Sequence, residues 1–205
     1  MQLRTIAIAA CTIALAATCT AQMPAAGPQT GPRTSAPKPP MNPNMQMPMS
    51  GAPNGPAASP ASNAMVALKG KPISIRYSAP SIRDRKIMGG VVPFGEVWRT
   101  GANPATSFVT ASALKVGSLT VPAGSYTLYT LPTATTWQLI LNKQTGQWGT
   151  VYNQPQDLGR IPMKVATLPA PQEVMSISFE NTKGGATELH IRWEKTDVSV
   201  PIVAQ

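Results

Sequence analysis

Apolar and polar residues alternate along much of the chain from residue 65 to its end. The alternation is clearest in four runs, residues 73–78, 137–142, 175–180 and 188–194. Successive side chains of a β-strand point to opposite faces of the sheet, so each run predicts a strand with one face on a core. Ile140 breaks the pattern in the second run, where a polar residue is expected.

Shorter strands and the turns between them complete an all-β pattern. Further strands are predicted at residues 97–100, 107–111, 119–121, 126–131, 165–168 and 198–203. The Lys183-Gly184-Gly185 turn predicts a hairpin between two of the strongest strands. Pro201 predicts an edge position for the last strand, because proline has no N–H to donate to a neighbour. Since no long window shows helical periodicity, the chain is predicted to form an antiparallel β-sandwich, jelly-roll or immunoglobulin-like.

Composition confines the folded domain to residues 65–205. All aromatic residues (4 Trp, 4 Tyr and 3 Phe) lie there. Residues 22–64 have no aromatic and no acidic residue, but they hold half of the 22 prolines. Such a segment cannot bury enough apolar surface to offset its loss of chain entropy. Residues 22–64 are therefore predicted to be a disordered linker that precedes the sandwich.

Residues 1–21 have the pattern of a secretory signal peptide. Arg4 precedes an apolar stretch too short to anchor in a bilayer, and the small residues Cys19-Thr20-Ala21 follow it. Cleavage after Ala21 would leave Gln22 as the N-terminus, and the alternative is a lipid anchor on Cys19. Both alternatives predict an exported protein, periplasmic or extracellular. Contact with a membrane is predicted only in the second, through the lipid anchor on Cys19.

Cysteine and histidine usage excludes several kinds of site. Cys11 and Cys19 both lie in residues 1–21, so disulfides, thiolate nucleophiles and cysteine-bound metals are not expected in the folded part. The chain has 1 His, His190, which is too few for a histidine-based metal centre. His190 falls on the polar face of its strand and is predicted to be solvated rather than catalytic. No metal and no other cofactor is predicted.

The net charge of +9 is concentrated in one stretch. Six basic residues lie between Lys69 and Lys86, with Asp84 as the one acid among them. This stretch predicts a solvated face that keeps an edge strand from pairing, and the alternative is a basic edge for an anionic partner. Nucleic acid is excluded as a partner, because interleaved aromatics are scarce and the protein is predicted to be exported.

The candidate ligand site comes from residues 83–103, where charge, glycine and aromatic side chains are most densely mixed. Arg99 could hold a carboxylate or phosphate bidentately, beside Asn103 and with Trp98 as a stacking face. The alternative for this segment is a Glu96–Arg99 ion pair that fixes a corner of the fold. Trp148 lies in a predicted turn and is the best candidate for an exposed aromatic, as binding of a sugar ring requires.

An enzymatic alternative depends on paired carboxylates. A glycoside hydrolase needs two carboxyl groups that face each other across a cleft. Glu96 and Asp157 are the acids in loop-like, aromatic-rich surroundings, whereas Glu180, Glu188 and Glu194 fall on outward faces of predicted strands. No Gly-x-Ser-x-Gly motif supplies a serine nucleophile. Glu96 is the one catalytic candidate, and only within this alternative.

Three runs carry a resemblance to a known family: RDRKIMGGVVPFGEVWRTGANPAT, VPAGSYTLYTLP and WQLILNKQTGQWG. In this order they resemble a family of exported bacterial proteins, the domain of unknown function 2911 (DUF2911), over residues 73–202. The resemblance implies a β-rich exported domain and no particular activity. Pro104 departs from the acidic residue expected after the Gly-Ala-Asn motif, which weakens any proposal of a carboxylate there.

The sequence thus predicts a non-enzymatic binding module of the cell envelope. Its ligand would be a carbohydrate, a small anion or an envelope protein, contacted by Trp98, Arg99, Asn103 and Trp148. One alternative is a carboxylate-dependent hydrolase of envelope or extracellular glycans, and another is a purely structural scaffold.

Overall fold

The computed structural model describes residues 58–205. The predicted signal peptide, Cys19 and most of the predicted linker lie outside the described residues. Within residues 58–205, no helix has the length and apolar character that crossing a membrane requires.

Nine antiparallel strands make up most of residues 58–205. Their bounds are β1 Ala61–Leu68, β2 Lys71–Ser78, β3 Thr106–Thr110, β4 Leu114–Val116, β5 Leu119–Val121, β6 Gly124–Pro132, β7 Trp137–Asn142, β8 Asp157–Lys183 and β9 Ala186–Ala204. They are hydrogen-bonded in the order β1-β2-β3-β6-β7-β8-β9-β4-β5. A 3₁₀ turn at Gln154–Gln156 is the one helical element of the described part. The predicted all-β, antiparallel fold is confirmed.

Strand β8 joins two halves of the sheet: strands β1, β2, β3, β6 and β7 on one side of it, and strands β9, β4 and β5 on the other. It is 27 residues long, and its residues 157–163 pair with β7 while residues 164–183 pair with β9. The register shifts after Thr167, in a segment where Pro169 and Pro171 have no N–H to donate. The long strand is therefore shared between two sets of neighbours.

One hydrophobic core lies between the two halves. Phe108 from β3 and Leu128 from β6 belong to the same buried cluster as Trp193 and Val200 from β9. Burial of each such large apolar side chain stabilises the fold by about 1.5–3 kcal/mol. The alternation predicted in β9 is confirmed, because Leu189, like Trp193, is buried.

Ile140 breaks the alternation because the outer face of β6 and β7 is buried as well. Tyr129 and Ile140 are opposite each other on these strands and are 1% and 0% exposed. The segment 143–156 covers this face, and the Tyr129 hydroxyl donates a hydrogen bond to the Val151 carbonyl at 2.7 Å. The covering segment also forms one wall of the candidate site.

The predicted β8–β9 hairpin is confirmed. Gly184 and Gly185 have φ values of 61° and 83°. A two-residue type I′ turn needs positive φ at both positions, which glycine adopts without steric cost.

The first strand begins earlier than the composition predicts. β1 starts at Ala61, within the segment 22–64 that is predicted to be linker. Ala64 and Leu68 of β1 face the core, whereas Met65 is 64% exposed. Because residues 61–68 contain no aromatic and no charged side chain, composition alone groups them with the linker.

β9 is not an edge strand, so the prediction from Pro201 is wrong. It lies between β8 and β4. Pro201 comes after the residues of β9 that pair with β8. It lies just before Ile202, which pairs with Val116 at the end of the β4–β9 ladder. Its carbonyl accepts a hydrogen bond from the Gly117 N–H at 2.8 Å, and the missing N–H of proline leaves the ladder intact.

Candidate functional site

Trp98 is a core residue rather than an open stacking face. Its ring lies 5.9 Å from that of Trp193 in a stacked arrangement and 6.3 Å from that of Trp137 edge-to-face. Only 7% of Trp98 is exposed. Residues 97–100 do not form the predicted strand, since Trp98 makes only an isolated bridge with Thr130 of β6. Aromatic packing of this kind fixes the segment that carries Arg99.

Arg99 points away from this core and has no acceptor in the described part of the chain. Its Nε–H is buried, yet it donates no hydrogen bond within residues 58–205. The predicted Glu96–Arg99 ion pair is absent there, because Glu96 is exposed and belongs to none of the salt bridges in this range. A buried polar donor without a partner is rare in folded proteins and calls for a specific explanation.

Arg99, Asn103 and Trp148 are brought together around Gly149. The Gly149 N–H donates to the Asn103 carbonyl at 3.3 Å, and Pro104 forms a β-bridge with Trp148. A Cβ at position 149 would lie 2.7 Å from the Asn103 carbonyl oxygen and would overlap the Arg99 side chain. Only glycine therefore allows the two segments to approach this closely. Trp148 itself is 56% exposed, as the sequence predicts.

The backbone next to Arg99 is strained. Thr100 is fully buried and has φ of 54°, in the left-handed region that β-branched residues avoid. Its hydroxyl lies 3.0 Å from that of Thr130, and its carbonyl accepts from the Thr106 hydroxyl at 2.9 Å. These contacts hold the unfavourable geometry in place, and strain of this type concentrates at ligand-binding segments.

Two cavities adjoin Arg99. The first, of about 230 Å³, is lined by Val91, Pro93, Val97, Trp98, Arg99, Tyr129, Gly149, Thr150 and Tyr152. The second, of about 240 Å³, is lined by Ser59, Pro80, Arg85, Val91, Trp98, Arg99, Gly101, Ala102 and Trp193. We call them the tyrosine cavity and the Arg85 cavity. Both are bordered by Arg99, and no carboxylate among residues 58–205 lines either of them.

Two tyrosines line the first cavity. The sequence offers them, with Tyr126 and Trp148, as a possible stacking platform for a sugar, but it favours Trp148 alone as an exposed contact. Tyr129 and Tyr152 pack edge-to-face with ring centroids 5.1 Å apart. The Tyr152 hydroxyl donates to Asp157 Oδ2 at 2.6 Å and accepts from Arg160 at 2.8 Å. Burial and the hydrogen bond to Asp157 raise the pKa of Tyr152 to about 12. Tyr152 is therefore a neutral wall residue at neutral pH. Tyr152 lies near Arg99 only because segment 143–156 folds over β6, and no local sequence pattern predicts that fold.

The two carboxylates of the hydrolase alternative lie in different environments. Asp157 Oδ1 accepts a hydrogen bond from Asn142 at 2.8 Å, and its Oδ2 accepts from Tyr152 and Arg160. Glu96 is exposed and hydrogen-bonded to nothing in residues 58–205. Asp157 thus orders the covering segment, and neither acid lines a cavity beside Arg99.

His190 belongs to an ion-pair cluster, which corrects the prediction of a solvated histidine. Its side chain is 12% exposed, and its Nδ1 lies 2.9 Å from Asp197 Oδ1. Arg192 donates to Asp197 through Nε at 2.9 Å and to Glu180 through both terminal nitrogens. Hydrogen bonds from Arg192 lower the pKa of Glu180 to about 2. No group of three or more His, Cys, Asp or Glu in residues 58–205 is placed to hold a metal ion.

Several residues of the basic stretch bind backbone carbonyls instead of facing solvent alone. Lys69 Nζ donates to the carbonyl of Ala204 at 3.2 Å. Arg85 donates to the carbonyls of Ile82 and Ser81 at 3.0 and 2.6 Å. β1, at one end of the strand order, carries no charged residue, so charges within that strand do not protect it from pairing.

Comparisons with known proteins place the chain in a family without adding an activity. No curated protein and no solved structure matches the chain. One family model matches residues 59–202, which include β1 to β8, most of β9 and every residue of the candidate site. The chain therefore belongs to the family described as protein of unknown function (DUF2911).

Proposed function

We propose that this protein is an exported, non-enzymatic binding module that holds a small anionic ligand at Arg99. The observation that carries the proposal is the buried Nε–H of Arg99, which has no acceptor within residues 58–205 although two cavities adjoin the side chain. Trp98 lines both cavities, and Asn103 and Trp148 adjoin the lining residue Gly149 through the backbone.

An anion would correct the electrostatic imbalance at this position. A guanidinium remains protonated at any physiological pH, and a buried donor without an acceptor costs about 1–3 kcal/mol. A carboxylate or phosphate would accept from Nε and one terminal nitrogen together, in the bidentate geometry that arginine favours. The hydrogen bond from Arg99 to a bound anion would thus offset part of the free-energy cost of burying its Nε–H without an acceptor.

The available groups favour binding over catalysis. No acid among the described residues lines either cavity, and Asp157, which binds the lining residue Tyr152, is also engaged by Asn142 and Arg160. His190 is held in its own cluster with Asp197 and Arg192. General acid–base chemistry needs a titratable group within hydrogen-bond reach of the bound ligand.

The export signal completes the proposal. Residues 1–21 read as a signal peptide, so the binding site would face the periplasm or the exterior, with Cys19 as the alternative lipid anchor. Mass spectrometry of the mature N-terminus distinguishes Gln22 from a diacylglyceryl Cys19. An unprocessed Met1 would contradict the export claim.

The ligand claim is tested by thermal unfolding of the full mature chain with a panel of monocarboxylates and inorganic phosphate at constant ionic strength. Binding to the folded state raises the melting temperature by mass action. We expect at least one anion to stabilise the wild type and Arg76→Ala, in which an exposed arginine on β2 is removed, but not Arg99→Ala. Equal stabilisation of all three proteins, or of none, would leave the scaffold role instead.

A further inference from the structure

The tyrosine cavity has the size of a small organic group. Its volume is about 230 Å³, below the roughly 300–1,000 Å³ of pockets for drug-sized ligands. It therefore suits a body of about ten non-hydrogen atoms, such as one amino-acid side chain or one sugar ring.

Most polar groups of its wall are already used. The Tyr129 hydroxyl donates to the Val151 carbonyl and accepts from Gln147 at 2.9 Å, and the Tyr152 hydroxyl donates to Asp157 and accepts from Arg160. Val91, Pro93, Val97 and Trp98 supply apolar surface. Among the polar lining side chains, those of Arg99, Trp98 and the exposed Thr150 make no hydrogen bond within residues 58–205. A sugar ring would bring several hydroxyl groups into this space with few groups left to pair them, which costs affinity.

The charge of the wall also restricts the anion. Arg99 is the one charged residue that lines the tyrosine cavity in the described part, whereas Arg85 lines only the other cavity. A single guanidinium neutralises one carboxylate, and it would leave a phosphate dianion with one uncompensated charge. The planar fork of Arg99 also matches the two oxygens of a carboxylate.

Several exposed apolar residues line the cavity or flank its lining residues in the sequence. Val91 is 42% exposed and lines it directly, and Phe94, 43% exposed, follows the lining residue Pro93. Trp148 and Val151 are 56% and 48% exposed and flank the lining pair Gly149-Thr150. Solvent-exposed apolar residues gathered at a cavity are typical of ligand sites.

We infer that the ligand of Arg99 is a monocarboxylate of about ten non-hydrogen atoms in all, whose apolar body lies in the tyrosine cavity against Val97 and Trp98. This inference depends on the proposed function, because it names the class of the anion bound at Arg99. Two sources share this chemistry: a free apolar acid and the C-terminal residue of a peptide.

Isothermal titration of the mature full chain with four small probes tests the class. Phenylacetate has the predicted size and charge, phenylacetamide has the shape without the charge, glucuronate has the charge with hydroxyl groups, and inorganic phosphate is the competing anion. We expect phenylacetate to bind at least tenfold more tightly than each of the other three, and Arg99→Lys to lose at least tenfold in phenylacetate affinity. Binding of glucuronate or phosphate through Arg99 without binding of phenylacetate would overturn the apolar class and leave the proposed function intact. Absence of binding by every anion would overturn both.

Substitution of the exposed Trp148 tests the apolar contact without disturbing the core. Trp148→Ala is expected to weaken phenylacetate binding about three- to tenfold, as loss of one aromatic contact does. Lys143→Ala, an exposed change in the same segment, serves as the control and is expected to bind as the wild type. Equal affinity of all three proteins would contradict a contact between the ligand body and Trp148, which flanks the lining residue Gly149.

Two peptides distinguish the sources. An N-acetylated peptide that ends in phenylalanine is compared with the same peptide amidated at its C-terminus. If the free peptide binds more tightly than phenylacetate and the amide does not bind, the carboxylate comes from a peptide terminus. If phenylacetate binds and neither peptide does, the ligand is a free acid. If the amide binds as well as the free peptide, the carboxylate claim fails.

Discussion

Gly149 lies so close to Arg99 that any side chain at position 149 would overlap the arginine. The two residues come from segments far apart in the chain, and the hydrogen bond from Gly149 to the Asn103 carbonyl fixes them together. The position of the guanidinium between its two cavities thus depends on the absence of a single Cβ atom. This relationship gives the most local test of the site.

Gly149→Ala is expected to displace Arg99 and to abolish anion binding. The fold should lose about 1–3 kcal/mol, the usual cost of an extra methyl group in a well-packed place. Titration calorimetry measures the affinity, and urea unfolding measures the free energy of unfolding. Lys143→Ala in the same segment should change neither quantity, and unchanged anion affinity in Gly149→Ala would show that Arg99 does not need its present position.

Trp98 and Trp148 are expected to differ sharply in their contributions to stability. Trp98 is buried between Trp137 and Trp193, so Trp98→Ala should lower the free energy of unfolding by about 3–5 kcal/mol. Trp148 is mostly exposed, so Trp148→Ala should change it by about 0.5 kcal/mol or less. Chemical unfolding monitored by circular dichroism reports both values. Similar losses in the two variants would be inconsistent with a core role for Trp98 alone.

Acid is expected to weaken the β8–β9 hairpin through Glu180. Hydrogen bonds from Arg192 lower the pKa of Glu180 from its ordinary value of 4.5 to about 2, so the folded state favours its charged form. The resulting stabilisation is complete above pH 4.5 and disappears as the pH falls from 4.5 to 2. Urea midpoints measured across this range should fall less steeply in Glu180→Gln than in the wild type. Parallel pH profiles would remove Glu180 from the explanation.

Alkali is expected to weaken the wall of the tyrosine cavity. The pKa of Tyr152 is raised from 10.0 to about 12, so the folded state favours the neutral phenol. This contribution is complete below pH 10 and is lost as the pH rises through 12. Spectrophotometric titration of tyrosinate should show a late-ionising tyrosine in the wild type that is missing from Tyr152→Phe. If the last ionisation is the same in both proteins, Tyr152 does not have this environment.

The alternation of side chains predicted much of the fold, and it also held information about Trp98 that the motif interpretation overlooked. In residues 97–100, Trp98 and Thr100 are buried while Arg99 between them is only half-buried. An extended segment places neighbouring side chains on opposite faces. Trp98 is therefore expected to pack mainly into the core while Arg99 turns outward, although both residues border the two cavities.

Other parts of the site were beyond prediction from the sequence because they depend on long-range packing. Tyr152 reaches the cavity only because segment 143–156 folds over β6 and β7. Tyr129 and Asn142 donate hydrogen bonds to backbone carbonyls of that segment, and Asn142 also donates to Asp157, which follows it. The strand β1 was missed for a different reason. Its core contacts come from Ala64 and Leu68, which carry too little apolar surface to stand out beside a proline-rich segment.

The most direct test of an anion site is the Arg99 Nε–H itself, observed by ¹H–¹⁵N nuclear magnetic resonance and assigned by its absence in Arg99→Lys. A new hydrogen bond to a carboxylate should shift this signal, and shielding from solvent should slow its exchange. We expect a saturable shift of the Arg99 signal when phenylacetate is added, with no comparable shift of the signal of the exposed Arg76. An Arg99 signal that does not respond to phenylacetate, glucuronate or phosphate would contradict the claim that Arg99 binds an anion.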